Sequence, residues 1–198
     1  MVPAAIYHSR YAANLKQGIT DLQKRVDKMK NGAERDRLQA ALGAMGTEND
    51  GNNVNVKFGP TGDGAAARTN PFFNEQTGKL GFNVIFDPKG TTGGLNDWAI
   101  NAAHEGTHVA DLSDPRFANP ATTLSPFSLE YRGYTTSAWA ASALGMPSLS
   151  YGPNGRYHIG NPSWGLVDKT LTNYITNMKD KQGRQDHPET IPHNSWGN

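Results

Sequence analysis

The sequence predicts an α+β fold for one domain spanning residues 1–198, and three observations support this interpretation. Apolar residues recur at helical spacing near the N-terminus and again beyond residue 95. Between these stretches, Val54–Phe58 and residues 81–86 are short apolar runs typical of strands. A chain of 198 residues also suits a single domain with a substantial hydrophobic core.

Residues 10–45 are predicted to form a helical hairpin. Apolar side chains alternate between spacings of four and three along residues 15–29, and Asn31-Gly32 then marks a turn. A second, shorter apolar stripe follows that turn. The hairpin carries more basic than acidic side chains, which is typical of a solvated face, with a partner-binding surface as the alternative.

Residues 50–95 are predicted to form a small sheet with loops. Val54–Phe58 alternates between apolar and polar residues, as a half-buried strand does. Residues 81–86 form the second predicted strand, which ends before Pro88. The glycine-rich loop at residues 59–64 lacks the Gly-Lys-Ser/Thr that a phosphate-binding loop requires.

Residues 96–180 are predicted to carry the helices of the functional site. Asn96 is expected to cap the first of them, and Ser125-Pro126 is typical of the start of the second. Two further predictions complete the chain, a final helix over residues 166–178 and a flexible tail over residues 181–198.

Composition excludes several classes of protein. With 19 Lys and Arg against 18 Asp and Glu, the net charge of +1 gives no reason to expect a nucleic-acid partner. The absence of cysteine excludes disulfides, thiolate metal sites and a cysteine nucleophile. No run of apolar residues is long enough to predict a membrane span. The first ten residues lack the pattern of a Sec signal peptide.

The motif His104-Glu105-Gly106-Thr107-His108 carries the strongest chemical signal. Histidines at positions i and i+4 of a helix share one face, so both imidazoles can bind one Zn²⁺. Glu105 lies beside the first histidine, where it can accept a proton from a metal-activated water and pass it to the leaving amine. The pattern is typical of zinc peptidases.

A catalytic zinc needs a third protein ligand, and the sequence offers two main candidates. Glu130 follows His108 by 22 residues in the second predicted helix and is the preferred choice. Asp111 shares the helical face of the two histidines. We expect its carboxylate to accept a hydrogen bond from the outer ring nitrogen of a ligating histidine. A plain helix-end position and direct ligation of the zinc are the alternatives for Asp111.

Three side chains are candidates to stabilise the oxyanion of the transition state. Tyr131 and Tyr134 follow Glu130 on the same predicted helix, and His158 follows a glycine-rich loop. Tyr134 and His158 are the two assigned a catalytic role. Ordinary packing or a surface position is the alternative for each of them.

The run from His104 to Asp111 resembles the His-Glu-x-x-His-x-x-Asp helix of lethal-factor-like and related bacterial toxin metallopeptidases, within the zincin superfamily. With Glu130 as a ligand, the chain resembles the gluzincin branch. The resemblance implies a zincin-like fold, with an edge strand along the cleft above the active-site helix. Residues 82–86 match the position of that strand, which would align an extended peptide by β-augmentation.

The predicted function is that of a zinc metalloendopeptidase acting on a protein or peptide. A compact, cysteine-free domain of this kind also looks like the payload of a bacterial polymorphic toxin or a type VI secretion effector. That resemblance implies a protein that is secreted or delivered by a secretion system, with a cognate immunity protein as a partner. The alternatives are a non-catalytic, zincin-like metal-binding module and an interaction domain that uses the basic hairpin.

Overall fold

The computed structural model describes residues 4–46, 51–62, 65–75, 78–117, 123–151, 155–162 and 168–178, with side chains from residue 8 onward. This part of the chain has an α+β fold. The helices are α1 (Ala4–Val26), α2 (Ala33–Met45), α3 (Leu95–Ser113), α4 (Pro126–Ala143) and α5 (Lys169–Thr176). The strands are β1 (Val54–Phe58), β2 (Ala67–Asn74), β3 (Lys79–Phe86), β4 (Leu149–Tyr151) and β5 (Tyr157–Ile159).

The two N-terminal helices confirm the predicted hairpin elements. The apolar stripe of α1 is buried through Leu15, Leu22 and Val26. Leu38 and Leu42 bury the corresponding stripe of α2. Burial of these stripes removes apolar surface from water, which is the main favourable term in their packing.

Strands β1, β2 and β3 form a mixed sheet in the order β1-β3-β2. Strand β3 pairs in parallel with β1 and antiparallel with β2. The prediction that residues 82–86 form the edge strand is therefore wrong, because β3 is hydrogen-bonded on both sides. Strand β2, which the sequence did not predict, is an edge strand instead. Its polar side chains and Pro71 obscure the pattern, and proline is tolerated at a sheet edge.

Helix α3 passes through the centre of the described structure. It packs against α1 and α2, against α4, and against β2. Helix α2 crosses α3 so closely at Gly106 that an added Cβ would lie 2.2 Å from the carbonyl oxygen of Ala41. Glycine within the motif is therefore required by helix packing.

The sequence predicts the start of α4 correctly but not the start of α3. Helix α3 begins at Leu95 after Gly94, whose φ of 84° favours glycine, so Asn96 is not the cap. Helix α4 begins as predicted, since the Ser125 hydroxyl accepts a hydrogen bond from the Ser128 N–H and Pro126 is the first helical residue.

The C-terminal elements pack beside α4. Strands β4 and β5, which the sequence does not predict, form a two-stranded antiparallel sheet. Helix α5 lies within the predicted final helix, and Asp168 caps it. The predicted tail at residues 181–198 lies outside the described residues. Across the described ranges, no helix combines the length and apolarity needed to cross a membrane.

Candidate metal centre

Helix α3 places the three chemically important residues of the motif in the interior. His104 and His108 lie one turn apart, and their ring centroids are 4.7 Å apart in an edge-to-face arrangement. Glu105 is 4% exposed. Because α1, α2, α4 and the sheet surround α3, these polar side chains are held among packed elements with little freedom to turn toward solvent.

Helix α4 brings Glu130 to the two histidines. Glu130 Oε2 lies 3.4 Å from His104 Nε2, and Glu130 Oε1 lies 3.5 Å from His108 Nε2. Ligand atoms around a tetrahedral ion with bonds of 2.0–2.1 Å lie about 3.3–3.4 Å apart, so contacts of this length are compatible with a small metal ion. His104, His108 and Glu130 each offer one ligand atom, and these three atoms all lie within 4.8 Å of one another. The group can hold a metal ion.

The electrostatics of this group favour a positive charge. Burial by itself lowers the pKa of His108, but the Glu130 carboxylate, together with those of Glu105 and Asp111, outweighs burial and raises that pKa to about 9. Burial likewise opposes ionisation of Glu130, yet the histidines hold the pKa of its carboxyl well below the usual range. The negative charge of the Glu130 carboxylate can be neutralised by a proton on His108 or by a divalent cation.

Two residues of α4 that the sequence analysis missed shape the contact with His104. A Cβ at Gly133 would lie 2.8 Å from both Cε1 and Nε2 of His104, so only glycine leaves space for the ring. His104 Nδ1 lies 3.2 Å from Ser137 Oγ, which can accept its hydrogen when Nε2 binds a metal. Glu130, Gly133 and Ser137 are spaced three and four residues apart. This spacing places them on one face of α4, and it could have identified that face as the one toward His104 from the sequence.

On the other side of α3, strand β2 contacts Glu105. The Thr69 hydroxyl donates a hydrogen bond of 2.7 Å to Glu105 Oε2. The predicted general base is thus attached to an edge strand, whereas the predicted ligands face α4. Thr69 gives no signal in the sequence, because β2 itself is not predicted.

The sequence predicts that Asp111 accepts a hydrogen bond from a ligating histidine, but in the structure its carboxylate pairs with arginine side chains. Its carboxylate is 1% exposed and accepts bonds of 2.6 and 2.9 Å from Arg132, and Arg37 binds the same carboxylate. Two guanidinium groups outcompete a neutral imidazole for a buried carboxylate. His108 Nδ1 is buried without a hydrogen-bond partner in the described part of the structure. Asp111 instead ties α3 to α4 and α2.

The three candidate oxyanion donors lie in different surroundings. Tyr134 packs edge-on against His104, with ring centroids 4.6 Å apart, and its hydroxyl lies 3.4 Å from that of Tyr174. The Tyr131 hydroxyl accepts a hydrogen bond from the Asp168 N–H, which joins α4 to the start of α5.

His158 is exposed on β5. Its Nδ1 lies 3.0 Å from Ser150 Oγ of the neighbouring strand. Of the two side chains assigned a catalytic role, the structure therefore brings Tyr134 against a metal-binding histidine. His158 has its described polar contact with Ser150 instead.

Comparisons with protein-family models, with curated proteins and with solved structures find no match to this chain. The site is therefore interpreted from its own geometry.

Proposed function

We propose that this protein is a zinc-dependent metalloendopeptidase. The observation that carries the proposal is the convergence of His104, His108 and Glu130 from two helices, with Glu105 next to the first ligand. Two imidazoles and one carboxylate are a ligand set used by catalytic zinc. A metal site that served stability alone would be expected to use four protein ligands, whereas three converge here within the part of the chain that the structure describes.

A zinc ion held by His104, His108 and Glu130 would supply Lewis-acid chemistry, lowering the pKa of a water molecule and polarising the substrate carbonyl. Glu105 accepts a proton as the water oxygen bonds to the carbonyl carbon. When the C–N bond breaks, Glu105 returns that proton to the leaving amine. Thr69 holds Glu105 Oε2, and this restricts the rotation of the base. Of the two predicted oxyanion donors, Tyr134 is the one that packs against a proposed zinc ligand, His104.

Strand β2 would align the substrate. It is hydrogen-bonded to β3 along one edge, and its Thr69 lies against Glu105. An extended peptide can pair with the backbone along the other edge of such a strand, which fixes its direction and register. The substrate class that this arrangement favours is an extended segment of a protein or peptide.

Metal content measured by elemental mass spectrometry is the first test. We expect about one zinc per chain in the wild type and a strong loss in both His108→Ala and Glu130→Ala. Glu75→Ala is the matched control, because Glu75 is exposed and outside the group. No zinc in the wild type after reconstitution would overturn the proposal. Zinc lost from His108→Ala but retained in Glu130→Ala would show that another residue is the third ligand.

Peptide hydrolysis by the zinc-loaded protein is the second test. Glu105→Gln should keep its zinc and lose hydrolysis, because the amide cannot accept the proton. If the wild type binds zinc but cleaves no peptide, the non-catalytic metal-binding module becomes the better interpretation.

A further inference from the structure

One face of the three-stranded sheet packs against α3. Successive side chains of a strand point to opposite faces, so Phe82, Val84 and Phe86 of β3 share one face. All three are buried in a cluster with Trp98 and Ala102 of α3. This is therefore the helix-facing side of the sheet.

The pairing of β2 with β3 identifies which β2 residues lie on that same side. Thr69 is opposite Val84, and Phe73 is opposite Leu80. Directly opposed residues of an antiparallel pair point to the same face. Because Leu80 alternates with Val84 along β3, Phe73 and Leu80 lie on the face from which Thr69 reaches Glu105.

Phe73 and Leu80 are left open to solvent on this face. Phe73 is 64% exposed and Leu80 41%, and among the described residues only Leu95 is a comparably exposed large hydrophobic side chain. The adjacent aromatic residue behaves differently, since the Phe72 ring on the other face covers Gly81. The two exposed side chains form an apolar pair beyond the point where β2 contacts the predicted base.

We propose that the Phe73–Leu80 pair is a specificity subsite that binds an apolar side chain of the peptide substrate. The inference rests on the proposed peptidase function and names a feature of its substrate. Along an extended strand, Phe73 lies about 13 Å from Thr69, which is four residues of β structure. A peptide aligned on the free edge of β2 with its scissile bond near Glu105 therefore places a residue three to five positions away beside Phe73, with Leu80 next to Phe73 on the far side, in β3.

We assign this subsite to the substrate because Phe73 lies on the same strand, β2, along which the substrate is proposed to align. Both side chains lie on the same strand pair and the same face as the Thr69–Glu105 hydrogen bond. Backbone pairing along β2 supplies register without selecting sequence, and an apolar contact at a fixed distance supplies selection. A second copy of this chain is the competing occupant.

The test is cleavage of a random peptide mixture by the zinc-loaded protein, with cut sites mapped by mass spectrometry. We expect the wild type to enrich Phe, Leu, Met, Tyr or Trp at one position three to five residues from the cut. Phe73→Ser should weaken that enrichment about tenfold, which corresponds to loss of a partly buried apolar contact, and Leu80→Ser should weaken it less, because Leu80 is one strand further from the peptide. Both positions are on the surface, so the fold and the zinc content should be retained.

Leu95→Ser is the matched control, since Leu95 is 40% exposed but lies at the start of α3. It should keep the wild-type enrichment. Peptide binding by the Glu105→Gln variant, followed by fluorescence anisotropy, gives a readout without turnover. In the Glu105→Gln background, Phe73→Ser should reduce affinity for a selected peptide by a similar factor.

Cleavage with no apolar preference in this window, or a preference that survives both serine variants, would overturn the inference while leaving the peptidase proposal intact. A wild type that is dimeric and becomes monomeric in Phe73→Ser, with cleavage preference unchanged, would assign the pair to self-association. A zinc-loaded wild type that cleaves no peptide would contradict the proposed function, and the subsite with it.

Discussion

The two sides of helix α3 hold their polar side chains in different ways. Toward α4, the metal-binding group is fixed by several constraints, namely a close approach at Gly133 and the buried ion pairs of Asp111 with arginine. Toward the sheet, Glu105 accepts one side-chain hydrogen bond from Thr69 on an edge strand.

This difference separates two requirements of the proposed site. Metal ligands must keep their spacing to within tenths of an ångström, so a rigid contact between two helices suits them. A general base must move a proton between water and a leaving group, and an edge strand also receives the substrate. We therefore expect changes on the α4 side to affect stability and metal binding, and changes on the β2 side to affect turnover.

The largest expected effect is on the α4 side. Asp111→Ala leaves Arg132 and Arg37 without the carboxylate they share, and breaking a buried pair costs about 3–5 kcal/mol of unfolding free energy. Urea denaturation followed by circular dichroism measures the loss. Asp114→Ala is the control, because its partner Arg116 is exposed, and it should leave the midpoint unchanged. Equal losses of stability in the two variants would show that the buried ion pairs of Asp111 contribute nothing beyond an exposed pair.

The second prediction concerns pH. Because the pKa of His108 is raised to about 9, a metal ion must displace a proton from it at lower pH. Metal affinity should therefore rise about tenfold per pH unit between pH 6 and 8, measured by competition with a chelator of known affinity.

The stability of the metal-free protein should also depend on pH. Protonation of His108 stabilises the fold below pH 6.5, and that contribution is lost as pH rises through about 9. Removing the negative charge in Glu130→Gln should flatten both dependences.

The third prediction tests the fit between the two helices. Gly133→Ala places a methyl group against the His104 ring and should lower metal affinity by about tenfold or more, as displacement of a ligand does. Gly43→Ala is the control within α2, since an added Cβ there meets nothing within 4 Å. It should leave affinity unchanged and stabilise the helix by about 0.5–1 kcal/mol. Unchanged affinity in Gly133→Ala would show that α4 can shift without disturbing the ligands.

The smallest expected effect is on the β2 side. Thr69→Val removes the hydrogen bond to Glu105 but keeps the side-chain shape, and kcat/KM should fall about tenfold. Zinc content should not change, because the Thr69 hydroxyl bonds to Glu105, which is outside the group of three candidate ligands. Thr69→Ser keeps the hydroxyl and should recover most of the activity. A loss of zinc in Thr69→Val would mean that the two sides of α3 are not independent.

Several parts of the fold follow from local sequence patterns. The stripe along residues 15–29 and the Ser125-Pro126 start signal depend on neighbouring residues, and both predict helices that the structure contains. Strands β1 and β3 follow from alternating or continuous apolar residues for the same reason. Strand β2 is missed because a sheet edge tolerates Pro71 and polar residues, which blur that pattern.

The metal-binding residues could be named from the sequence because helical spacing alone brings His104 and His108 to one face. The sequence also favours Glu130 over Asp111 as the third ligand, although helical spacing alone does not bring Glu130 to the histidines. The decision between them comes from tertiary structure. Asp111 lies on the expected face, yet Arg132 and Arg37 reach it and Glu130 reaches the histidines.

The sequence by itself determined the helices, two of the three strands of the main sheet, and the pair of histidines with their neighbouring glutamate, since each depends on residues a few positions apart. Only the tertiary structure decided that Glu130 lies beside the two histidines in the candidate metal-binding group, and that β2 forms the edge over Glu105. It also decided that Phe73 and Leu80 lie exposed on the face shared with Thr69. These relations join residues far apart in the chain, and they depend on how elements pack, which no local periodicity encodes.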